Sequence, residues 1–346
     1  MAREFNSIFS NSPTPWFASS DPAGRKLGSG GGVSQLLVDA KGGDSSDFGT
    51  WLDGAKRLVI LAGGQSRRLP AYAASGKVLM PVPLMRWSHG QRLDQTLLDM
   101  QADDYSRILQ AAPDESRVLV ASGDVFLKFP DSIPAIPEAD IVGFGMTVSP
   151  ETASHFGVFF SHRESPGEVA FFLQKPTPGE IRELAASHTY VVDTVLWLLS
   201  RRAIGVLMAR SGWTGESFQG DGATAYELYS GLGPSLGNQP EVPDPEISGL
   251  RTAVVSLPGA EFYHFGTTRQ MIESLSALQN RTPGKTDQND LWRKPHPDMY
   301  VLNSDFAFSR RSPDHRMIWI ENSSLPGDFT LSNENAITGL PPGDWK

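Results

Sequence analysis

Arg57-Leu58-Val59-Ile60-Leu61-Ala62 is a short apolar run that stops at a glycine pair, Gly63-Gly64. A run this short, with no polar residue inside it, reads as a strand buried on both faces, and such strands belong to sheets that carry helices on both sides. Arg117-Val118-Leu119-Val120-Ala121 reads the same way and leads directly into Ser122-Gly123-Asp124. Further strands are expected at 140–147, 156–161, 168–173 and 251–257, with a short one at Trp16–Ser19. Helices are expected at 33–40, 92–111, 178–187, 194–209 and 267–279. Alternating strands and helices predict an α/β domain built on a mostly parallel, doubly wound, Rossmann-like sheet. Ligands of such sheets sit beyond the carboxyl ends of the strands, where the glycine loops fall here.

The end of the chain has a different pattern. Leu325, Leu331 and Ile337 recur every six residues in a polar stretch rich in Asn, Ser and Gly, and Ile320 lies five before Leu325. Aliphatics at that spacing suggest coils of a β-helix stacked on one another, with antiparallel strands as the plainer alternative. So few coils suggest a truncated β-helix and a chain that is part of something longer. The expected organisation is a lead-in at 1–15, a main domain at 16–290 and the start of the β-helix at 291–346.

Composition removes several classes of function. The absence of cysteine excludes disulfides, thiolate metal sites and cysteine nucleophiles, and it fits a cytoplasmic protein. A net charge of −9 argues against nucleic acid as a partner, which would call for a basic face. No apolar run approaches the roughly 18 residues of a membrane span, so no membrane role is expected.

The chemistry is concentrated in Leu61-Ala62-Gly63-Gly64-Gln65-Ser66-Arg67-Arg68-Leu69-Pro70 and the following Ser75-Gly76-Lys77. Glycines after a buried strand let backbone approach a base or phosphate, and successive amides there form a concavity for anions. Arg68 offers forked donors for phosphoryl oxygens, and Lys77 a compact charge. Nucleotidyl transfer requires that combination of positioning and charge neutralisation. The loop is not a P-loop, because Gly76-Lys77 is followed by Val78. Asp124, a carboxylate at a strand end, is the candidate Mg²⁺ ligand; a turn aspartate is the plain alternative. Lys175, after the strand Phe171-Phe172-Leu173, could reach a sugar phosphate, and Glu168, Asp193 and Thr194 are candidates for sugar hydroxyls. Gly231-Leu232-Gly233-Pro234-Ser235 reads as a plain loop and Asp221 as a turn residue.

These residues resemble sugar nucleotidyltransferases. Asp21-Pro22-x-Gly24-x-Lys26-x-Gly28-Ser29-Gly30-Gly31-Gly32, with Ala62-Gly63-Gly64-x-Ser66-x-Arg68-Leu69-Pro70, resembles more narrowly the L-fucose-1-phosphate guanylyltransferase family, which includes the N-terminal part of a bifunctional fucokinase/GDP-fucose pyrophosphorylase. The likeness extends through Ser122-Gly123-Asp124 and Phe262-Tyr263-His264-Phe265-Gly266-Thr267-Thr268 into the tail. It implies a nucleotide-binding α/β domain, a left-handed β-helix, and the reaction of GTP with L-fucose 1-phosphate to give GDP-L-fucose and pyrophosphate. It places Arg68 and Lys77 on the triphosphate, Asp124 on the metal and Lys175 near the sugar phosphate. The candidate nucleotide-binding backbone is that of Gly28, Gly30, Gly31, Ala62, Gly63, Gly64, Ser66 and Gly123; which glycine loop covers the base is left open. Asp193, Thr194 and His264 complete the sugar-phosphate candidates. Val33 stands where the resemblance leads one to expect threonine, and His264 where the broader superfamily has a metal-binding aspartate. His264 is therefore a candidate for metal or for substrate, unless the second carboxylate comes from elsewhere. No sugar-kinase motif follows, so a kinase half is expected to be missing. Another sugar or base, or a silent regulatory domain, are the competing functions; retention of Arg68, Lys77 and Asp124 together argues against the last.

Overall fold

Arg57–Leu61 form the strand that the glycine pair terminates. In the computed structural model, residues 15–64, 66–86, 90–91, 95–129, 132–280, 298–306, 315–327 and 329–343 are described. The expected lead-in at 1–15 lies almost wholly outside these residues, as do Gln65, the first residues of the helix expected from Arg92, and the boundary expected at 290. The chain divides into two compact units: residues up to Gly63 with Gln101–Phe262, and Gly64–Met100 with the residues from Tyr263 onward.

The first unit is built on a seven-stranded sheet. Its main elements, in chain order, are helix α1 (Gly28–Lys41), strand β1 (Arg57–Leu61), helix α2 (Leu97–Ala111, in this unit from Gln101 onward), strands β2 (Ser116–Ser122), β3 (Ile141–Met146), β4 (Gly157–His162), β5 (Phe171–Gln174) and β6 (His188–Ser200), helix α3 (Arg201–Arg210) and strand β7 (Thr252–Ser256). The strand order is β1-β2-β6-β3-β7, with β4 paired to the amino-terminal half of β6 and β5 beyond it. Only β1 with β2 and β3 with β7 run parallel; β6 is antiparallel to β2, β3 and β4. The sheet is therefore mixed, which corrects the expectation of a mostly parallel one.

The correction comes from β6. Thr194 to Ser200 were expected to begin a helix, yet they complete a thirteen-residue strand, and the helix starts at Arg201. Val191, Val192, Thr194 and Val195 are β-branched and favour extended backbone. Beyond them, Leu196 and Leu198 pack with Leu119, Ala121 and Phe144 on one face of the sheet. Trp197 and Leu199 pack with Val118 and Val120 on the other. A segment apolar on both faces carries neither a helical nor a strand period. Ser200 marks the change: its Oγ accepts from Ala203 N at 3.1 Å, capping α3.

Helices cover both faces, α1 and α3 through Val33, Leu37, Ile204 and Leu207, and α2 through Tyr105 and Ile108. Three smaller expectations also change. Trp16–Ser19 is not a strand, α1 begins inside the glycine cluster rather than at Val33, and Leu228–Ser235 forms tight helical turns rather than a plain loop.

In the second unit, helix α4 (Thr268–Asn280) precedes strands β8 (Met299–Leu302), β9 (Asp305–Phe306), β10 (Ile318–Glu321), β11 (Ser324–Leu325) and β12 (Ala336–Thr338). β8, β10 and β12 pair parallel in one sheet, and β9 and β11 in another. Ile318, Ile320, Leu325 and Leu331 are buried together, with Ile337 and Leu340 packed on them, so the six-residue aliphatic pattern marks one core. Asn303 Nδ2 donates to Asn322 Oδ1 at 2.6 Å between successive layers, and both residues have positive φ.

Candidate functional site

The parallel pairing of β1 and β2 sets two loop starts side by side, because Leu61 is in register with Ser122. Gly123 N then donates to Leu61 O at 3.0 Å and closes the gap between the strand ends. A side chain is excluded there: a Cβ on Gly123 would lie 2.9 Å from Leu61 O and 3.0 Å from Ala62 Cα, both backbone atoms. Gly123→Ala is therefore expected to push the two strand ends apart. It should cost about 1–3 kcal/mol in denaturant unfolding and depress activity more than its stability loss explains.

Asp124, in the turn after β2, is half-buried and accepts from Ser122 Oγ at 2.7 Å. The turn is held from below by α2. Gln101, fully buried, donates through Nε2 to Ser122 O (2.8 Å) and Val125 O (2.6 Å), and Tyr105 donates its hydroxyl to Val125 O (3.2 Å). Neither support is among the site candidates visible in the sequence. Their signal was a polar pair, four residues apart, on the buried face of the helix.

Asp193 lies in β6 at a shift of register against β3, beside Val195 with φ of 63°. Its carboxylate is almost fully buried, and Oδ1 accepts from Val195 N (2.9 Å) and Trp197 Nε1 (3.0 Å). Burial raises this carboxyl to about 7, well above its ordinary 3.8, despite those two bonds. Thr194 turns its hydroxyl inward, donating to Phe144 O at 2.8 Å. Tyr229, also absent from the site candidates visible in the sequence, packs edge-on against Trp197 at 5.5 Å. Its phenol is raised first by burial and then by Asp193, Asp124 and Glu227, so these acids are within coulombic reach of one ring. Lys175 follows β5 with φ of 55° and an exposed side chain, and its amide donates to Phe156 O at 2.9 Å.

The first glycine cluster has other partners. Gly30 N and Gly31 N both donate to Tyr226 O, at 2.8 and 3.0 Å. Ser29 donates through N and Oγ to Glu227 Oε2, at 3.1 and 2.7 Å. A Cβ on Gly31 would lie 2.5 Å from Thr224 O, and Gly28 has φ of 70° with Glu227 against it. Glycine inside a helix is unfavourable by about 1 kcal/mol per residue, and here it permits close packing on the 224–228 segment that leads to Tyr229.

In the second unit, Gly64 (φ 121°) is open, and Ser66 (φ 45°) accepts at its carbonyl from Leu69 N at 2.9 Å. Arg68 is exposed, and its carbonyl accepts from Thr268 N at 3.0 Å at the start of α4. Lys77 Nζ donates to Gly266 O at 3.2 Å. His264 is half-buried, its ring against Gly266 and its carbonyl accepting from Ser274 Oγ at 2.8 Å.

Among the described residues, no three His, Asp or Glu side chains are grouped to hold a metal. Asp124 with the Ser122 hydroxyl is a hard oxygen pair, which suits a Mg²⁺ ion held mostly by phosphate oxygens and water. No helix among the described residues is long and apolar enough to cross a membrane.

Residues 49–211 match the family model described as the fucose pyrophosphorylase domain. The whole chain is 41% identical over 350 residues to an L-fucokinase/L-fucose-1-P guanylyltransferase of Bacteroides fragilis, and spans 36% of that protein's length. A solved mannose-1-phosphate geranyltransferase from Thermus thermophilus matches 84% of this chain and 93% of its own, at 15% identity and a TM-score of 0.40.

Proposed function

We propose that the chain transfers a guanylyl group from GTP to L-fucose 1-phosphate, releasing pyrophosphate, on the premise that residues 49–211 match the model of the fucose pyrophosphorylase domain. The observation that carries the reading is the 41% identity along the full chain to a protein named for that transferase. The name of that relative also includes a fucokinase, and the reading assigns only the guanylyltransferase to these residues. The reaction belongs to nucleotide-sugar biosynthesis, with a cytoplasmic location.

A phosphate oxygen of the sugar 1-phosphate attacks the α-phosphorus in line, and pyrophosphate leaves; no covalent enzyme intermediate is required. Arg68 and Lys77 bind the triphosphate and stabilise the charge that grows on the leaving pyrophosphate. Gly63 and Gly64 admit the nucleotide close to backbone. Gly123 and Gln101 fix the turn that presents Asp124. Asp124 would hold Mg²⁺, which would supply charge neutralisation on the phosphates. Asp193 and Thr194 read sugar hydroxyls, Lys175 takes the sugar phosphate, and His264 contacts substrate or metal. The stacked parallel strands from Met299 are the first coils of a left-handed β-helix in this reading.

The test is pyrophosphate release with Mg²⁺, crossing GTP, ATP and UTP with several sugar 1-phosphates. The expected outcome is turnover with GTP and L-fucose 1-phosphate at least about tenfold above any other pair. Preference for another pair retains the chemistry and changes the substrate. A folded protein that is stabilised by GTP-Mg²⁺ yet turns over no pair would be a regulatory domain.

A further inference from the structure

Tyr72 lies four residues after Arg68 and five before Lys77, in the short helical turn Pro70–Tyr72. Its backbone ties the loop on both sides: Tyr72 N donates to Leu69 O at 3.3 Å, and Tyr72 O accepts from Gly76 N at 3.0 Å. Its ring is buried. Its hydroxyl reaches across 249 residues of sequence and donates to the Glu321 carboxylate. Burial, with Glu321 beside it, raises this phenol well above its ordinary value, so the proton stays on tyrosine and the carboxylate is the acceptor.

Glu321 is a rigid anchor. It ends the middle strand of three, in register with Leu302 on one side and Thr338 on the other. Its Oε2 also accepts from Trp319 Nε1 at 3.3 Å, and Trp319 is fully buried. Further contacts tie the same coils to α4: Arg269 pairs with Glu334 at 2.8 Å, and the Ser276 and Tyr300 hydroxyls meet at 3.3 Å. Thr268, at the start of α4, in turn holds Arg68 O.

We infer that Glu321 is a positioning residue for the loop bearing Arg68 and Lys77, acting through the Tyr72 hydroxyl, so that the stacked coils form part of the transferase machinery. A hydrogen bond to a charged acceptor is strong enough to select one loop conformation over its competitors by about tenfold or more. In the loop conformation so selected, Arg68 and Lys77 are held ready for the triphosphate. The kinetic consequence rests on the transferase reading; the brace itself does not.

Four variants test it: Tyr72→Phe, Glu321→Leu, Glu321→Gln, and the Tyr72→Phe/Glu321→Leu double. The first measurement is limited trypsin digestion of the folded protein, because Arg67, Arg68 and Lys77 are themselves cleavage sites in the loop. Cleavage there should accelerate about tenfold in Tyr72→Phe and Glu321→Leu, with no further increase in the double variant. Glu321→Gln, which keeps an oxygen acceptor, should restore most of the protection. The second measurement is turnover: both single variants should raise KM for the triphosphate about tenfold, leaving KM for the sugar phosphate unchanged. Unchanged cleavage in both single variants would overturn the brace. So would a double variant that loses the sum of both effects, or a loss that follows the melting temperature alone. Faster cleavage in the variants of a protein that turns over no substrate pair would leave the brace standing and sink the transferase reading instead.

Discussion

Asp124→Asn is expected to lower kcat about a hundredfold or more while leaving the melting temperature within a few degrees. The asparagine oxygen can still accept from Ser122 Oγ, and the turn keeps its supports from Gln101 and Tyr105. What is lost is the negative charge that, in the proposed mechanism, would hold Mg²⁺ against the phosphates. The Mg²⁺ concentration for half-maximal activity should rise in step with the fall in rate, and pyrophosphate release titrated with Mg²⁺ measures both. Full activity at ordinary Mg²⁺ would remove Asp124 from the metal and return it to the role of a turn residue.

The second large effect concerns Asp193, whose carboxyl is buried and pushed up to about 7. A rise from 3.8 to that value corresponds to roughly 4 kcal/mol against the ionised form in the folded chain. Between those two pH values the folded chain holds a proton that the unfolded chain has released. Stability contributed by this group therefore declines as pH rises from 3.8 to about 7 and is level above it. Asp193→Asn keeps an acceptor for Val195 N and Trp197 Nε1 and has no charge to desolvate. It is expected to raise stability at pH 8 by about 1–3 kcal/mol and to flatten the decline. If Asp193 reads a sugar hydroxyl, the same variant should lose about tenfold or more in kcat/KM for the sugar phosphate. Opposite signs in unfolding and in kinetics would mark a residue retained for function against stability. A parallel loss in both would make Asp193 a core carboxylate only.

The strand–glycine punctuation at Leu61–Gly64 and at Ser122–Asp124 was legible because a buried strand and its turn are local events, written in consecutive residues. β6 was not, since Val195 to Leu199 are apolar on both faces and only the neighbouring strands decide between the two periods. The glycines at 28–32 look like a loop on propensity alone, and become helical because Tyr226 O accepts their amides from almost 200 residues away. Tyr229, Tyr72 and Glu321 carry no local motif, and Gln101 shows only as half of a polar pair on α2. Each matters through partners distant in sequence, and those pairings exist only once the chain is folded. The six-residue aliphatic rhythm near the end did foretell a shared core, because stacked parallel strands repeat in sequence what they repeat in space.

The pairing of Gly64–Met100 with the residues from Tyr263 onward has a consequence for synthesis. Arg68 and the Thr268 that holds its carbonyl are 200 residues apart. At ribosomal speeds of about 5–20 residues per second, the cationic loop waits roughly 10–40 s for its partner to be made. During that interval the nascent chain carries a segment still without its later partners, between two pieces of a sheet that can already pair. Loss of translation before Thr268 would therefore leave the sheet's own partners complete and the loop permanently unanchored.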